Sequence, residues 1–133
     1  MKNQVKPGWA KLSENESGID VECLSLCETL NQFPGIETTS SCCGHGDSPF
    51  RIWFDAANLE VLPPIVYYFD GCHCGFYGWD IIVKTDCSMR PVNFMIEGPK
   101  GDQVYKEADK IAEMLMDEFN SRYGEQQKGS PYD

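Results

Sequence analysis

The sequence has no long apolar run, and this absence sets the first limit on what the protein does. None of its apolar stretches approaches the roughly 20 residues that a membrane-spanning helix requires. The N-terminal stretch MKNQVKPGWAKLSENE carries lysines but no apolar segment of the kind found in secretory signals. We therefore expect a soluble protein of the cytoplasm that has no membrane partner.

Basic residues are scarce, and their scarcity limits the polyanions that the chain can bind. The sequence has 11 Lys and Arg against 21 Asp and Glu, which gives a formal net charge of −10. Between Pro34 and Pro99 the basic side chains are Arg51, Lys84 and Arg90 alone. Because duplex nucleic acid is bound by clustered cations, we exclude it as a partner. A small anionic ligand remains compatible with three cations and backbone N–H groups.

The cysteines do not suggest a disulfide framework. There are seven of them, an odd number, and without a secretory signal we expect free thiols. Cys23 and Cys27 are four residues apart in a helical pattern and are interpreted as buried structural thiols. The other five lie in the glycine-rich or turn-like segments SCCGHG, GCHCG and TDCS.

The chain is long enough, at 133 residues, for one domain with its own hydrophobic core. We predict a flexible N-terminal arm over residues 1–18 and a single α+β domain over residues 19–124. The polar residues 125–133 are predicted to form a disordered tail.

Periodicity and turn residues predict the element order α-β-β-α-β-β-α. Apolar residues at helical spacing predict a first helix over about 20–33, which Asp20 caps, and a last helix from Asp102 to Gly124. Four strands are predicted for IETTSSC, FRIWF, WDIIVKT and VNFMIE, and a short helix for NLEVLPPIVYYFDG. We therefore predict an α+β fold with helices on one face of a four-stranded, mainly antiparallel sheet.

Side-chain alternation assigns the strand residues to two faces of this sheet. The inner face is predicted to consist of Ile36, Ile52, Phe54, Ile81, Val83, Phe94 and Ile96. The opposite face is predicted to carry Thr39, Ser41, Arg51, Trp53, Lys84, Asn93 and Met95. The second set is so mixed in chemistry that it suits a ligand or partner surface better than plain solvent contact.

The segments SCCGHG and GCHCG leave three interpretations open, and the first is a zinc site. Cys and His are ligands of tetrahedral zinc, and two loops that each provide two ligands are a common construction. The spacing is shorter than the roughly two to four intervening residues of ordinary structural zinc sites. The ligands in this interpretation are Cys43, His45, Cys72 and Cys74.

Cysteine catalysis is the second interpretation. A reactive thiol needs a nearby imidazole that lowers its pKa, and a third group that orients the imidazole. The candidates are Cys42 or Cys43 with His73, Cys74 with His45, and Asp47, Asp70 or Asp86 as the orienting acid. Cysteines that simply pack beneath tight turns would explain the same residues.

Backbone binding of a small anion is the third interpretation and the one that we favour. Glycine permits positive φ and close approach of a ligand, and successive exposed N–H groups form anion-binding nests. The prediction requires the two glycine turns to meet at one edge of the sheet. The predicted ligand-binding residues are Gly44, His45, Gly46, Arg51, Trp53, Gly71, His73, Gly75, Trp79, Lys84 and Arg90.

Two resemblances accompany these segments. GIETTSSCCGHGDSPFRIWF with YYFDGCHCGFYGWDIIVKTDC, a TTxSCCGHG…FDGCHCG pattern, resembles small uncharacterised proteins of bacteriophages and bacteria over about residues 19–122. That resemblance implies no established reaction, but a phage origin suggests an anti-defence protein that sequesters a nucleotide immune signal in the host cytoplasm. Separately, TTSSCCGH is similar to the Thr-Thr-Ser-Ser-Cys-Ser-Gly-Arg stretch of the Tyw-three type of tRNA wybutosine-synthesis methyltransferase. Cys43 and His45 replace the Ser and Arg of that family.

We therefore predict non-enzymatic binding of a phosphate- or nucleotide-like ligand. The alternatives are a zinc-stabilised interaction domain and a cysteine-dependent or methyltransferase-like enzyme. Small sequestering proteins often bind between subunits, so a homo-oligomer is a further expectation.

Overall fold

The computed structural model describes residues 20–84 and 91–124. Its helices are α1 (Val21–Leu30), α2 (Leu62–Tyr67), α3 (Gly71–Cys74) and α4 (Gln103–Phe119). Its strands are β1 (Ile36–Cys42), β2 (Arg51–Ala56), β3 (Asp80–Lys84) and β4 (Val92–Glu97). Two 3₁₀ turns, Gly44–Gly46 and Leu59–Val61, precede β2 and α2, and a π-helical turn, Asn120–Gly124, follows α4. The predicted arm, the predicted tail and Arg90 lie outside the described residues.

The four strands form one antiparallel sheet in the order β1-β2-β4-β3. This confirms the predicted α+β fold and its two hairpins, and α3 is a short helix beyond the predicted elements. β1 and β3 are the two edge strands. The end of β1 and the start of β3 lie at the same end of the sheet, because both are aligned with the start of β2 and the end of β4.

One face of the sheet packs against helices and forms the core. In α4 the buried residues recur every three or four positions, so that one stripe of the helix faces the sheet. Burial of each large apolar side chain contributes about 1.5–3 kcal/mol to folding. The fully buried core residues include Leu26, Leu30, Ile36, Ile52, Phe54, Ile65, Ile96, Ile111 and Leu115.

The predicted structural thiols belong to this core. Cys23 and Cys27 are 0% and 1% exposed, and both are free. Burial raises the pKa of Cys27 to about 12 and raises that of Cys23 further. Both thiols therefore stay neutral at physiological pH and act as small apolar groups.

The two β3 residues that were predicted on the buried inner face are not fully buried. Val83 was expected in the core but is 64% exposed, and Ile81 is only half-buried. Both residues belong to an edge strand, where the described helices cover less of the sheet. The predicted inner-face side chains of β1, β2 and β4 are therefore buried, whereas those of β3 are partly or largely exposed.

A β-bulge in β1 overturns the predicted face of Ser41. The register between β1 and β2 shifts between Thr38 and Ser40, and Ser41 then lies opposite Ile52. Because one additional residue reverses the alternation, Ser41 turns towards the core and its Oγ is buried. Cys42 is correspondingly on the opposite face of the sheet.

The outer face carries three cross-strand rows. They are Cys42–Arg51–Glu97–Asp80, Ser40–Trp53–Met95–Ile82 and Glu37–Asp55–Asn93–Lys84. In the middle row Met95 is 7% exposed between two larger apolar neighbours, although it was expected on an open ligand surface. This face is therefore an apolar band between two polar rows.

Candidate metal-binding site

The turn after β1 has an unusual backbone. Gly44, His45 and Gly46 all have positive φ, at 83°, 53° and 89°. Among the described residues, His45 is the one non-glycine residue in this region of φ, which costs an L-residue about 1–2 kcal/mol. Gly44 is required because a Cβ at this position would lie 2.9 Å from the carbonyl oxygen of Pro49. This conformation turns the His45 ring back towards the residue that precedes the turn, Cys43.

Three potential metal ligands meet at this turn. The Nδ1 atom of His45 lies 3.5 Å from the Sγ atom of Cys43. The Nε2 atom of His45 lies 3.9 Å from the Oδ2 atom of Asp20, the residue that precedes α1. Each of the three residues offers one ligand atom, and these atoms lie within 4.8 Å of one another. Among the described residues, no other group of three or more potential ligands has all its ligand atoms this close together.

Two hydrogen bonds hold the central cysteine in place. The Cys43 N–H donates to Oδ2 of Asp20 at 2.8 Å, which ties the N-terminus of α1 to the end of β1. The Tyr105 hydroxyl, from α4, donates to the Cys43 carbonyl oxygen at 3.3 Å. The Cys43 backbone is therefore fixed from two separate helices, so that its thiol has a defined position.

The electrostatics of the group are asymmetric. The hydrogen bond from the Cys43 N–H lowers the pKa of Asp20, so its carboxylate is ionised at neutral pH. Burial raises the pKa of the Cys43 thiol, which is only 4% exposed. Burial likewise raises the pKa of Tyr105 to about 12. The His45 side chain, in contrast, is 70% exposed, which leaves one side of the group open to solvent.

The distance between Cys43 and His45 suits a tetrahedral metal ion bound to Nδ1. With zinc bonds of about 2.3 Å to sulfur and 2.0–2.1 Å to nitrogen, two ligands of a tetrahedral site are about 3.5 Å apart. The observed separation of Cys43 Sγ and His45 Nδ1 is 3.5 Å. Thiolate, imidazole and carboxylate together suit zinc, whereas magnesium and calcium prefer oxygen ligands alone.

The second glycine turn has a different construction. Asp70 accepts a hydrogen bond from the Cys72 N–H at 2.9 Å and lies 3.4 Å from Nδ1 of His73. The His73 ring stacks on Tyr67 with a centroid distance of 4.0 Å. The Cys74 thiol donates to the carbonyl oxygen of Phe76 at 3.4 Å. The Cys72 N–H, the His73 ring and the Cys74 thiol of α3 thus have local partners.

The predicted four-ligand zinc set is not assembled. Cys43 and His45 come together with Asp20, while Cys72 and Cys74 lie outside this group. The reason is the strand order, since the first turn follows β1 and the second precedes β3, which are opposite edges of the sheet. Three strand spacings separate these edges by about 14 Å. The two turns thus share one end of the sheet but follow and precede its opposite edge strands, whereas the sequence predicted them at one edge.

The predicted anion-binding side chains are also dispersed. Arg51 Nε is 2.9 Å from Glu97 Oε2, so its charge is already paired. Trp79 is 6% exposed, and its Nε1 donates to Glu107 at 2.9 Å, so its ring is part of the core rather than a stacking platform. Lys84 lies at the far end of β3 from both turns.

The remaining predicted ligand-binding residues divide between the two turns and the outer face. Gly44 and Gly46 belong to the first turn, Gly71 and Gly75 to the second, and Trp53 to the middle row of the outer face. A cavity of about 420 Å³ includes Gly71 and Trp79. Its charged lining residues are Asp70 and Asp80, which do not favour an anion.

Sequence reasoning assigned Asp20 only the role of a helix cap. In the structure its side chain makes no capping hydrogen bond and instead accepts from Cys43, 23 residues further along the chain. An acidic residue before a helix is ordinary, so this position carries no local signal of a second role. The position of Tyr105 carries no such signal either, because a tyrosine among apolar residues at helical spacing indicates packing.

Comparison with known proteins assigns no family to this chain. No family model matches it, and no curated protein and no solved structure is significantly similar to it. Within residues 20–84 and 91–124, no helix is long and apolar enough to cross a membrane. The two resemblances noted in the sequence therefore stay predictions, and function is inferred from the site.

Proposed function

We propose that this protein binds one zinc ion through Asp20, Cys43 and His45 and offers an open coordination position to a small ligand. The observation that carries the proposal is the approach of three different ligand types to within 4.8 Å of one another. They come from three separate places: the start of α1, the end of β1 and the left-handed turn. Asp20 is far from the other two ligands in sequence, so the fold itself builds the group.

The burial of Cys43 favours metal binding over cysteine catalysis. A thiol next to an imidazole and a carboxylate also has the composition of a nucleophilic centre. A nucleophilic cysteine, however, requires a lowered pKa, and burial raises the pKa of Cys43. A zinc ion would supply the positive charge that removes the thiol proton, so the same burial is compatible with a metal ligand.

The exposed side of the group is the basis for the open position. Zinc sites with three protein ligands hold water or substrate at the fourth position, whereas structural sites have four protein ligands. His45 is 70% exposed, so an additional ligand can reach a metal bound there. In this proposal the phosphate- or nucleotide-like ligand predicted from sequence would bind the metal directly. Sequestration of a nucleotide immune signal stays a prediction from the resemblance.

Zinc binding is tested by isothermal titration of the metal-free full chain under reducing conditions. We expect one zinc per chain, and for cobalt the charge-transfer absorption of a thiolate ligand. His45→Ala should weaken zinc binding by at least about 100-fold. The matched variant His73→Ala, which changes the other histidine, should bind as the unaltered chain does.

Two results would overturn the zinc site. One is metal-free protein that takes up no zinc at micromolar concentrations, and the other is equal damage from the two histidine substitutions. The open position has its own readout, because phosphate or a nucleotide that binds cobalt would change its visible spectrum. An unchanged spectrum at millimolar ligand would instead support the alternative of a zinc-stabilised interaction domain.

A further inference from the structure

The outer edge of β3 is an exposed and largely apolar strand. Four of its five residues are exposed, Ile81 being the exception, and the exposed fractions of Ile82 and Val83 are 38% and 64%. Among the described strands β3 pairs with β4 alone, so its other edge presents unpaired backbone N–H and C=O groups. Exposed apolar edge strands of this kind are templates for pairing with another strand.

The sequence of β3, DIIVK, is complementary to itself in the antiparallel direction. When two antiparallel copies of one strand are related by a two-fold axis, a residue on the axis faces its own copy. With Ile82 on the axis, Asp80 faces Lys84 of the second copy, and Lys84 faces its Asp80. Opposite charges directly across a strand pair stabilise it, so this register forms two equivalent ion pairs.

The same register covers the exposed apolar side chains. Asp80, Ile82 and Lys84 share the outer face, and Ile81 and Val83 share the face that carries the core. Val83 would therefore lie opposite Ile81 of the second copy. Ile81 also lines the cavity of about 420 Å³ beside α2, so pairing places the Val83 side chain of the second copy near this cavity.

The other edge of the sheet is unsuited to such pairing. β1 (IETTSSC) is mostly polar, and its register is interrupted by the bulge between Thr38 and Ser40. Bulges and polar side chains are two of the ways in which proteins protect an edge from other strands. β3 has neither a bulge nor a proline, and it carries its charges only at its two ends.

We propose that two copies of this chain pair antiparallel along β3 about a two-fold axis at Ile82. The partner is thus a second copy of the chain, and the product is a continuous eight-stranded sheet with the helices of both copies on one side. The metal group lies at the opposite edge of the sheet, so this inference does not depend on zinc binding.

Charge substitution at the two ends of β3 tests the proposal. The full chain should be a dimer in sedimentation experiments across a concentration series, with reductant present because Cys72 is exposed. Lys84→Asp creates a strand with carboxylates at both ends, and Asp80→Lys one with amines at both ends. Each variant alone should dimerise at least about tenfold more weakly, because two attractive pairs become repulsive.

Mixing the two variants is the decisive measurement. An equimolar mixture should form a heterodimer with an affinity close to that of the unaltered chain, because each carboxylate then faces an amine. Lys106→Asp and Asp117→Lys make the same charge changes at exposed positions of α4 and should leave the dimer unchanged. Circular dichroism establishes that all four variants are folded.

Several results would overturn the pairing. A chain that is monomeric at every concentration excludes it, and so does a dimer that both β3 variants leave intact. Variants that weaken the dimer but do not recombine on mixing would show that Asp80 and Lys84 do not face each other. A dimer that Lys106→Asp weakens equally would indicate an effect of net charge rather than of β3.

Discussion

The two glycine turns contain the same kinds of residue but differ in the origin of their carboxylate. In the first turn the acid is Asp20, which reaches Cys43 and His45 from the start of α1. In the second turn the acid is Asp70, which caps the short helix that contains His73. Asp70 accepts a hydrogen bond from the backbone of its own turn, whereas Asp20, which is distant in sequence, lies beside a thiol and an imidazole. Composition alone therefore does not distinguish a turn that is a candidate metal site from one that is a stable helix cap.

Replacement of a cysteine by serine should give the largest difference in zinc affinity between the two turns. Cys43→Ser removes a metal ligand from the candidate site and should weaken zinc binding by at least about 100-fold. Cys72→Ser changes an exposed thiol of the other turn and should leave the affinity unaltered. Competition with a chromophoric chelator measures both affinities. Comparable losses from the two substitutions would mean that zinc lies between the turns or at the second one.

Substitution of one glycine in each turn by alanine tests which of the two backbones is more tightly constrained. Gly44→Ala should destabilise the protein by about 2–4 kcal/mol, because it adds a clash to an unfavourable positive φ. A Cβ at Gly44 would lie 2.9 Å from the Pro49 carbonyl oxygen, whereas none of the surrounding atoms lies within 4 Å of one at Gly75. Gly75→Ala should therefore cost only about 1 kcal/mol, for its positive φ alone.

Urea unfolding of the metal-free protein measures both losses. If Gly75→Ala were the more damaging substitution, the first turn would not be the more tightly constrained of the two.

The zinc affinity of the first turn should also depend on pH. The pKa of Cys43 is raised above its ordinary value of 9.0, so its thiol is protonated at neutral pH and zinc must displace that proton. A group that loses a proton on binding makes affinity rise with pH, by about tenfold per unit below its pKa. We expect this slope between about pH 7 and 9, a range that lies below the raised pKa of Cys43.

Titration at a series of pH values, in buffers with different ionisation enthalpies, also counts the protons released. A flat profile would contradict thiolate ligation by Cys43 and favour a site made by other groups.

Local patterns were sufficient to predict most of the fold. Alternation in FRIWF and VNFMIE places the side chains of β2 and β4 correctly, because these central strands have one buried face. The bulge at Thr38 and Ser40 leaves no comparable mark, since polar residues on both sides of it make either register plausible. The exposure of Val83 depends on the strand order, which side-chain alternation does not specify.

The candidate site was predictable only in part. Cys43 and His45 were identified because their residue types are uncommon and their chemistry is specific. Cys72 and Cys74 were grouped with them because two loops that each provide two ligands are a common zinc construction, although the strand order places them at the other edge. Asp20 was overlooked because its partner lies 23 positions away and no local period connects the two.

The bulge in β1 has a consequence for two neighbouring thiols of identical chemistry. Cys42 is directed to the outer face of the sheet, in the row of Arg51, while Cys43 follows as the strand ends and meets an imidazole. If Thr39 were instead paired in regular register, Ser41 rather than Cys42 would lie opposite Arg51, and the facing of Cys42 would reverse. The bulge thus determines which of two adjacent sulfur atoms points to the outer face and which lies beside the imidazole.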